Sequence, residues 1–203
     1  MGFFRYELRT TALTGARDFY TELFGPEFWG AGVGVVPLPE AAAARGAPAH
    51  WLGYLGVSDV AGAADRFVRL GAPAFRDPFG AVLALGSATA ANGLPVALHV
   101  HHSRDREQAL AFYSELCGPD DRQLFVTAGS PEIHSQWLFF FRVADIERSM
   151  ERVRTLGGIV LEPTQTPDGD VMVACDDPQG AAFGLMSNGV DTGSTNGYTA
   201  RRL

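Results

Sequence analysis

Residues 51–71 read WLGYLGVSDVAGAADRFVRLG, and residues 137–157 read WLFFFRVADIERSMERVRTLG. The two stretches align without a gap: Trp51 falls on Trp137, Val57 on Val143, Asp59 on Asp145 and Gly71 on Gly157. Towards the N-terminus of each, FYTELFG at 19–25 returns as FYSELCG at 112–118. Towards the C-terminus, DPFGAVLALGS at 77–87 returns as DPQGAAFGLMS at 177–187. Matches that recur in the same order mark a tandem repeat. The chain therefore reads as a first module over 1–92, a second over 93–188, and a tail over 189–203. The tail is rich in Gly, Ser, Thr and Asn and is expected to be poorly ordered.

Within each module the hydrophobic period changes in a fixed order. Phe4, Tyr6 and Leu8 alternate with Arg5, Glu7 and Arg9, the period-two signature of a half-buried strand. Thr14 is placed to cap a helix that carries Phe19, Tyr20 and Leu23 on one face and stops at Gly25. Trp51 to Val57 predicts a strand, and Asp59 caps a helix with Ala63, Phe67 and Leu70 inward, ended by Gly71. In the second module Asp145 caps the equivalent helix and Gly157 ends it. Strands are expected over 159–161, 171–174 and 181–186, with Asp177-Pro178-Gln179-Gly180 as a type I turn. This is an α+β protein: two βαβββ-type modules, the first shortened by about one strand, form mixed sheets around a cup between them.

The 203 residues carry 23 acidic against 16 basic side chains, a net charge of −7. Short basic clusters such as Arg104-Asp105-Arg106-Glu107 are interrupted by acids, which speaks against nucleic acid as a partner. No apolar run reaches the roughly 20 residues of a membrane helix. Neither Cys117 nor Cys175 belongs to a CxxC pair, so buried thiols and a cytoplasmic setting are expected.

FRYELRTT…ARDFYTELFG, the VPLPEAAAARGAPAHWLGYLGVSDV stretch, Leu156-Gly157-Gly158 and DDPQGAAFGLMS together resemble the vicinal oxygen chelate superfamily. That group includes glyoxalase I, extradiol dioxygenases and bleomycin resistance proteins. The resemblance covers nearly the whole chain up to Ser187. It implies His, Glu or Gln metal ligands on first, middle and last strands. The corresponding positions here hold Arg5 and Leu98 (or Ala97), Leu52 and Leu138, and Ala84 and Gly184. None is a donor for a family-type metal, so the resemblance implies the fold without a cofactor. Family members also dimerise, which leaves a homodimer open.

Candidate site residues follow from the strand faces. Read by hydrophobic pattern, Val96, Leu98 and Val100 pack on the helices, and His99 and His101 join Ala97 on the cup face. In that register Glu7 and His99 are equivalent positions and form a candidate acid/base pair near neutral pH. Arg5, Arg9, Leu52, Tyr54, His101, Leu138, Phe140 and Arg142 would line the ligand space, with Phe139 and Phe141 in the core. The alternatives are an ion-paired Glu7 and hydrogen-bonded structural histidines. A metal held by His99, His101 and His102 is disfavoured because alternate strand residues diverge. His50 and His134 fall in loops, and Trp29 lies in a Gly-rich segment as a pocket wall or interface residue. The leading functional reading is a metal-free protein that binds a partly apolar or aromatic metabolite. The alternatives are a metal-independent cyclase, isomerase or lyase using Glu7 and His99, a metal-dependent glyoxalase-like or dioxygenase-like enzyme, and a scaffold that has lost its site.

Overall fold

The computed structural model describes residues 2–30, 32–69, 76–87, 95–117, 124–128, 134–166, 169–187 and 201–202. The first half contains β1 (Phe3–Thr10), α1 (Leu13–Phe24), β2 (Val33–Pro37), α2 (Glu40–Ala43), β3 (His50–Gly56), α3 (Val60–Arg69) and β4 (Ala84–Gly86). The second contains β5 (Val96–Ser103), α4 (Arg106–Cys117), β6 (Leu124–Ala128), β7 (Gln136–Arg142), α5 (Ile146–Thr155), β8 (Ile159–Val160), β9 (Thr164–Gln165), β10 (Val171–Asp176) and β11 (Ala182–Ser187). Of the tail, only β12 (Arg201–Arg202) is described, pairing with β6. Sheet one runs β2-β1-β3-β4; sheet two runs β12-β6-β5-β7-β11-β10-β8, with β9 on β10. No helix among the described residues is long and apolar enough to cross a membrane.

Local signals account for most of the boundaries. Gly62 N–H donates to Asp59 Oδ1 (2.9 Å) and Arg148 N–H to Asp145 Oδ1 (3.0 Å), so both aspartates cap their helices. Thr14 does not: α1 begins one residue earlier at Leu13, and Thr10 Oγ1 instead accepts from Ala12 N–H (3.1 Å). Gly25 and Gly157 end helices at φ of 91° and 86°, in the left-handed region that glycine adopts freely. Leu70 and Gly71 lie outside the described residues.

A register break changes the reading of β5. The ladder between β5 and β7 shifts between Val96 and Leu98, and the one between β1 and β3 shifts between Phe3 and Arg5. A bulge moves every following side chain to the opposite face. Val96 stays in the main core, as expected. Leu98 and Val100, expected against the helices, face the other way, and His99 and His101, expected in the cup, point into the core. Leu8 pairs with Trp51 and His101 with Trp137, so the true counterpart of His99 is Tyr6 and that of Glu7 is Val100.

The facing sides of the two sheets are filled with rings. His99 stacks on Phe3 at 4.6 Å, and Phe3 meets Phe139 edge-on at 5.4 Å. Tyr6 Oη and His99 Nε2 are 2.6 Å apart across the halves. Gly53 sits opposite: a Cβ there would lie 2.6 Å from ring atoms of both Phe3 and Phe139. The space expected to form a cup between the modules is thus occupied by core, apart from a cleft at its edge.

Two buried hydrogen-bonded clusters join the halves reciprocally. Tyr20 of α1 donates to Asp177 Oδ2 (3.2 Å), and Tyr113 of α4 donates to Asp77 Oδ2 (2.6 Å). Each aspartate begins the turn before its half's last strand and accepts two backbone N–H groups on Oδ1, from Phe79 and Ala81 or from Gln179 and Ala181. Burial pushes Tyr20 well above the usual phenol range, reinforced by the Asp177 charge, and burial also raises Asp177. The surface pairs Arg66–Glu115 and Arg152–Glu22 also bridge the halves, but exposed pairs contribute little. Tyr20→Phe should therefore cost about 2 kcal/mol in urea unfolding, because Asp177 loses its side-chain donor and Trp51 Nε1 its acceptor. Glu115→Gln should leave the midpoint nearly unmoved.

Candidate functional site

The face of sheet two turned away from the core is apolar and concave. Leu98 and Val100 from β5, Phe125 from β6, Leu138 and Phe140 from β7 and Met186 from β11 form a second buried cluster, with Met172 and Ala174 of β10 packed against it. This cluster floors a cavity of about 510 Å³. Its rim is polar: His102, Thr127, Gln136, Glu162, Thr164, Thr166 and Asp176 line it. Thr127 Oγ1 lies 2.6 Å from His102 Nδ1, which fixes the ring and leaves Nε2 as the nitrogen available to a ligand. Burial, and secondarily the neighbouring His101, lowers the His102 pKa, while burial raises that of Asp176.

The equivalent face of sheet one has the same geometry and opposite chemistry. Arg5, Glu7, Arg9, Leu52 and Tyr54 occupy the places of Leu98, Val100, His102, Leu138 and Phe140. Glu7 is buried to 6% exposure and fully engaged there. Arg5 Nη2 lies 2.6 Å from Oε1, Tyr54 Oη donates to Oε2 at 2.6 Å, and Arg9 Nη2 approaches Oε2 at 3.5 Å. Burial raises the Tyr54 pKa, and the bond to Glu7 adds to the effect. No counterparts of β8–β10 occur among the described residues of the first half, so strands cover this face less completely.

The structure brings together Arg5, Glu7, Arg9, Leu52 and Tyr54 on one face and Leu138 and Phe140 on the other half's cup. It does not bring Glu7 and His99 together: alternate residues of β1 face opposite ways, so Glu7 looks outward while Tyr6 meets His99 in the core. His101 is fully buried, with Nε2 2.7 Å from Asp77 Oδ2, so it lines no ligand space. Arg142, at the end of β7, is exposed and does not line the cup cavity. Trp29 packs on Phe28 at 5.0 Å and donates to Thr21 Oγ1 (2.8 Å), as an edge of the core. Cys175 is buried, with its thiol pushed up to about 12, chiefly by burial. The side chain of Cys117 lies outside the described residues. Among the residues missed from sequence are His102 and its partner Thr127; alternation back to Val100 and Leu98 would have found His102 had the bulge been known, whereas Thr127 lies on β6.

The positions at which the resemblance implies metal ligands hold Leu98, Leu138 and Gly184 in the second half. The Phe140 ring covers Gly184 so closely that a Cβ there would lie 2.2 Å from Phe140 Cδ1. In the first half they hold Arg5, Leu52 and Ala84. Neither donor set fits a divalent cation. Among the described residues no three His, Cys, Asp or Glu side chains group as a metal site.

No protein-family model matches the chain. A protein described as "Putative glyoxylase CFP32", from Mycobacterium bovis, is 26% identical over 241 aligned positions, covering 89% of this chain and 92% of that protein. Among solved structures, the 2,3-dioxygenase LapB from Pseudomonas sp. KL28 matches with a TM-score of 0.59 at 13% identity, over 93% of this chain and 92% of its own. The chain has the vicinal oxygen chelate fold. A Mn(II)-bound glyoxalase from Novosphingobium aromaticivorans shares that fold at a TM-score of 0.52 and 14% identity, over 96% of this chain and 86% of its own. Vicinal oxygen chelate proteins differ widely in chemistry, so function here rests on the residues of the cup.

His102 supplies a pH test of this geometry. Its folded pKa lies below its unfolded value, so its contribution costs stability as pH falls through about 6.5. His102→Gln should lessen the drop in urea midpoint between about pH 7.5 and 5.5.

Proposed function

We propose that the protein binds a flat, partly apolar small molecule in the cup of the second half, without a metal at the fold's ligand positions. The observation that carries this reading is the apolar floor of Leu98, Val100, Leu138 and Phe140 beneath a polar rim, in a cavity of about 510 Å³. That size and composition suit a small organic ligand, with the rim groups fixing orientation. A metal-dependent glyoxalase-like or dioxygenase-like reaction is disfavoured by the donor set. 2-Naphthol, titrated calorimetrically, is a suitable neutral probe. Ala174→Trp, which fills the cup from β10, should weaken its binding at least about tenfold, or about 1.4 kcal/mol, with folding retained. Unchanged affinity in a folded variant would overturn the reading.

A second reading is a metal-independent lyase, isomerase or cyclase. With Glu7 and His99 on different faces, it rests on His102, whose Nδ1 is held by Thr127 and whose ring lines the cup. A lowered pKa keeps this imidazole neutral near pH 7, as a general base requires. For an enzyme of this kind, His102→Gln should abolish turnover of a bound substrate while its dissociation constant changes little. Full turnover in the variant would remove His102 from the chemistry.

A further inference from the structure

We propose that the cleft between the two halves is a second binding site, selective for a flat aromatic carboxylate. The cleft has a volume of about 650 Å³ and receives equivalent segments from both halves. Trp51 and Trp137 stand second in the equivalent strands β3 and β7, and Gly80 and Gly180 close the two Asp-Pro turns. Both glycines have φ in the left-handed region, +99° and +82°, and no other heavy atom comes within 4 Å of where their Cβ atoms would stand. The turns therefore leave open space where a side chain would otherwise project.

Charge decides the ligand class. Arg76, Arg104, His50 and His134 line the cleft, and among the described residues its lining includes no Asp or Glu, in a chain whose net charge is −7. The cup of the second half is the converse, with Glu162 and Asp176 on its rim and no Arg among the described lining residues. Positive charge in an acidic protein attracts anions locally. Arg76 is oriented by the bond from Nη1 to Gly80 O (2.6 Å), leaving most of its five N–H donors for another acceptor. A guanidinium matches a carboxylate in geometry, and the two indoles with Phe79 supply flat apolar walls. The equivalent indoles also differ: Trp51 Nε1 donates to Tyr20 Oη at 3.0 Å, whereas the buried Trp137 Nε1 has no partner.

Cleft and cup share Gln136, Gly180 and Ala182 as a common wall, so the test must separate them. Calorimetric titration of the full chain with 2-naphthoate and with neutral 2-naphthamide does so. Naphthoate should bind at least about tenfold more tightly than the amide and lose affinity as salt rises from about 0.05 to 0.5 M. Arg76→Gln/Arg104→Gln should weaken naphthoate at least about tenfold and leave 2-naphthol binding in the cup unchanged. Ala174→Trp should leave naphthoate binding intact. The proposal is overturned if naphthoate does not bind, if the amide binds equally, or if Ala174→Trp abolishes naphthoate binding. Should the double variant not fold, the salt series decides: a salt-independent affinity overturns the proposal. Failure of 2-naphthol to bind would instead count against the cup reading alone.

Discussion

Two buried aspartates, each satisfied by a tyrosine from the other half, hold this molecule in its shape. A carboxylate out of water needs several donors, and Asp77 and Asp177 obtain two each from their own turns. The remaining oxygen is completed only when the halves dock, by Tyr113 and Tyr20 respectively. Neither turn is satisfied by a helix of its own half. These turns launch β4 and β11, which lie beside β3 and β7, and those strands carry the outward faces where a ligand can sit. The brace is not symmetric. His101 joins Asp77 where Leu8 occupies the equivalent place near Asp177, so one cluster contains an imidazole and the other an indole bonded to the tyrosine.

Much of this was readable from the chain. The gapless repeat located the capping aspartates, the repeated DPxG segments gave the turns, and strand alternation split Phe139 and Phe141 in the core from Leu138 and Phe140 on the other face. What failed was local and has a local cause. A bulge at Ala97 adds a residue to the ladder, and nothing in VALHVHHS distinguishes a bulged strand from a regular one. The inverted register made His99 a false partner for Glu7 and hid His102. Tyr20, Tyr113 and both aspartates stood in the repeats, but the exchange of partners between halves depends on tertiary docking, which local pattern does not encode.

Duplication has left two faces of the same geometry with different physics. In the first half the space above the strands is taken by an ion-paired network centred on Glu7, itself oriented by Tyr54 and two arginines. In the second half the same positions are aliphatic and aromatic, and the added strands wall them into a cavity. One scaffold thus supplies a charged surface and an apolar container. The difference lies in a handful of cup-facing residues, and the fold tolerates it because the halves are joined through their opposite faces.

The contact between Phe140 and Gly184 bears on the history open to this chain. A side chain at position 184 collides with the Phe140 ring, so a carboxylate or imidazole cannot be placed there while Phe140 keeps its position. Phe140 would have to shrink first, which opens a void beneath the cup before any ligand to a metal is in place. The packing of one ring against one glycine therefore works as a lock on position 184, and a design effort to place any donor there must change both residues together.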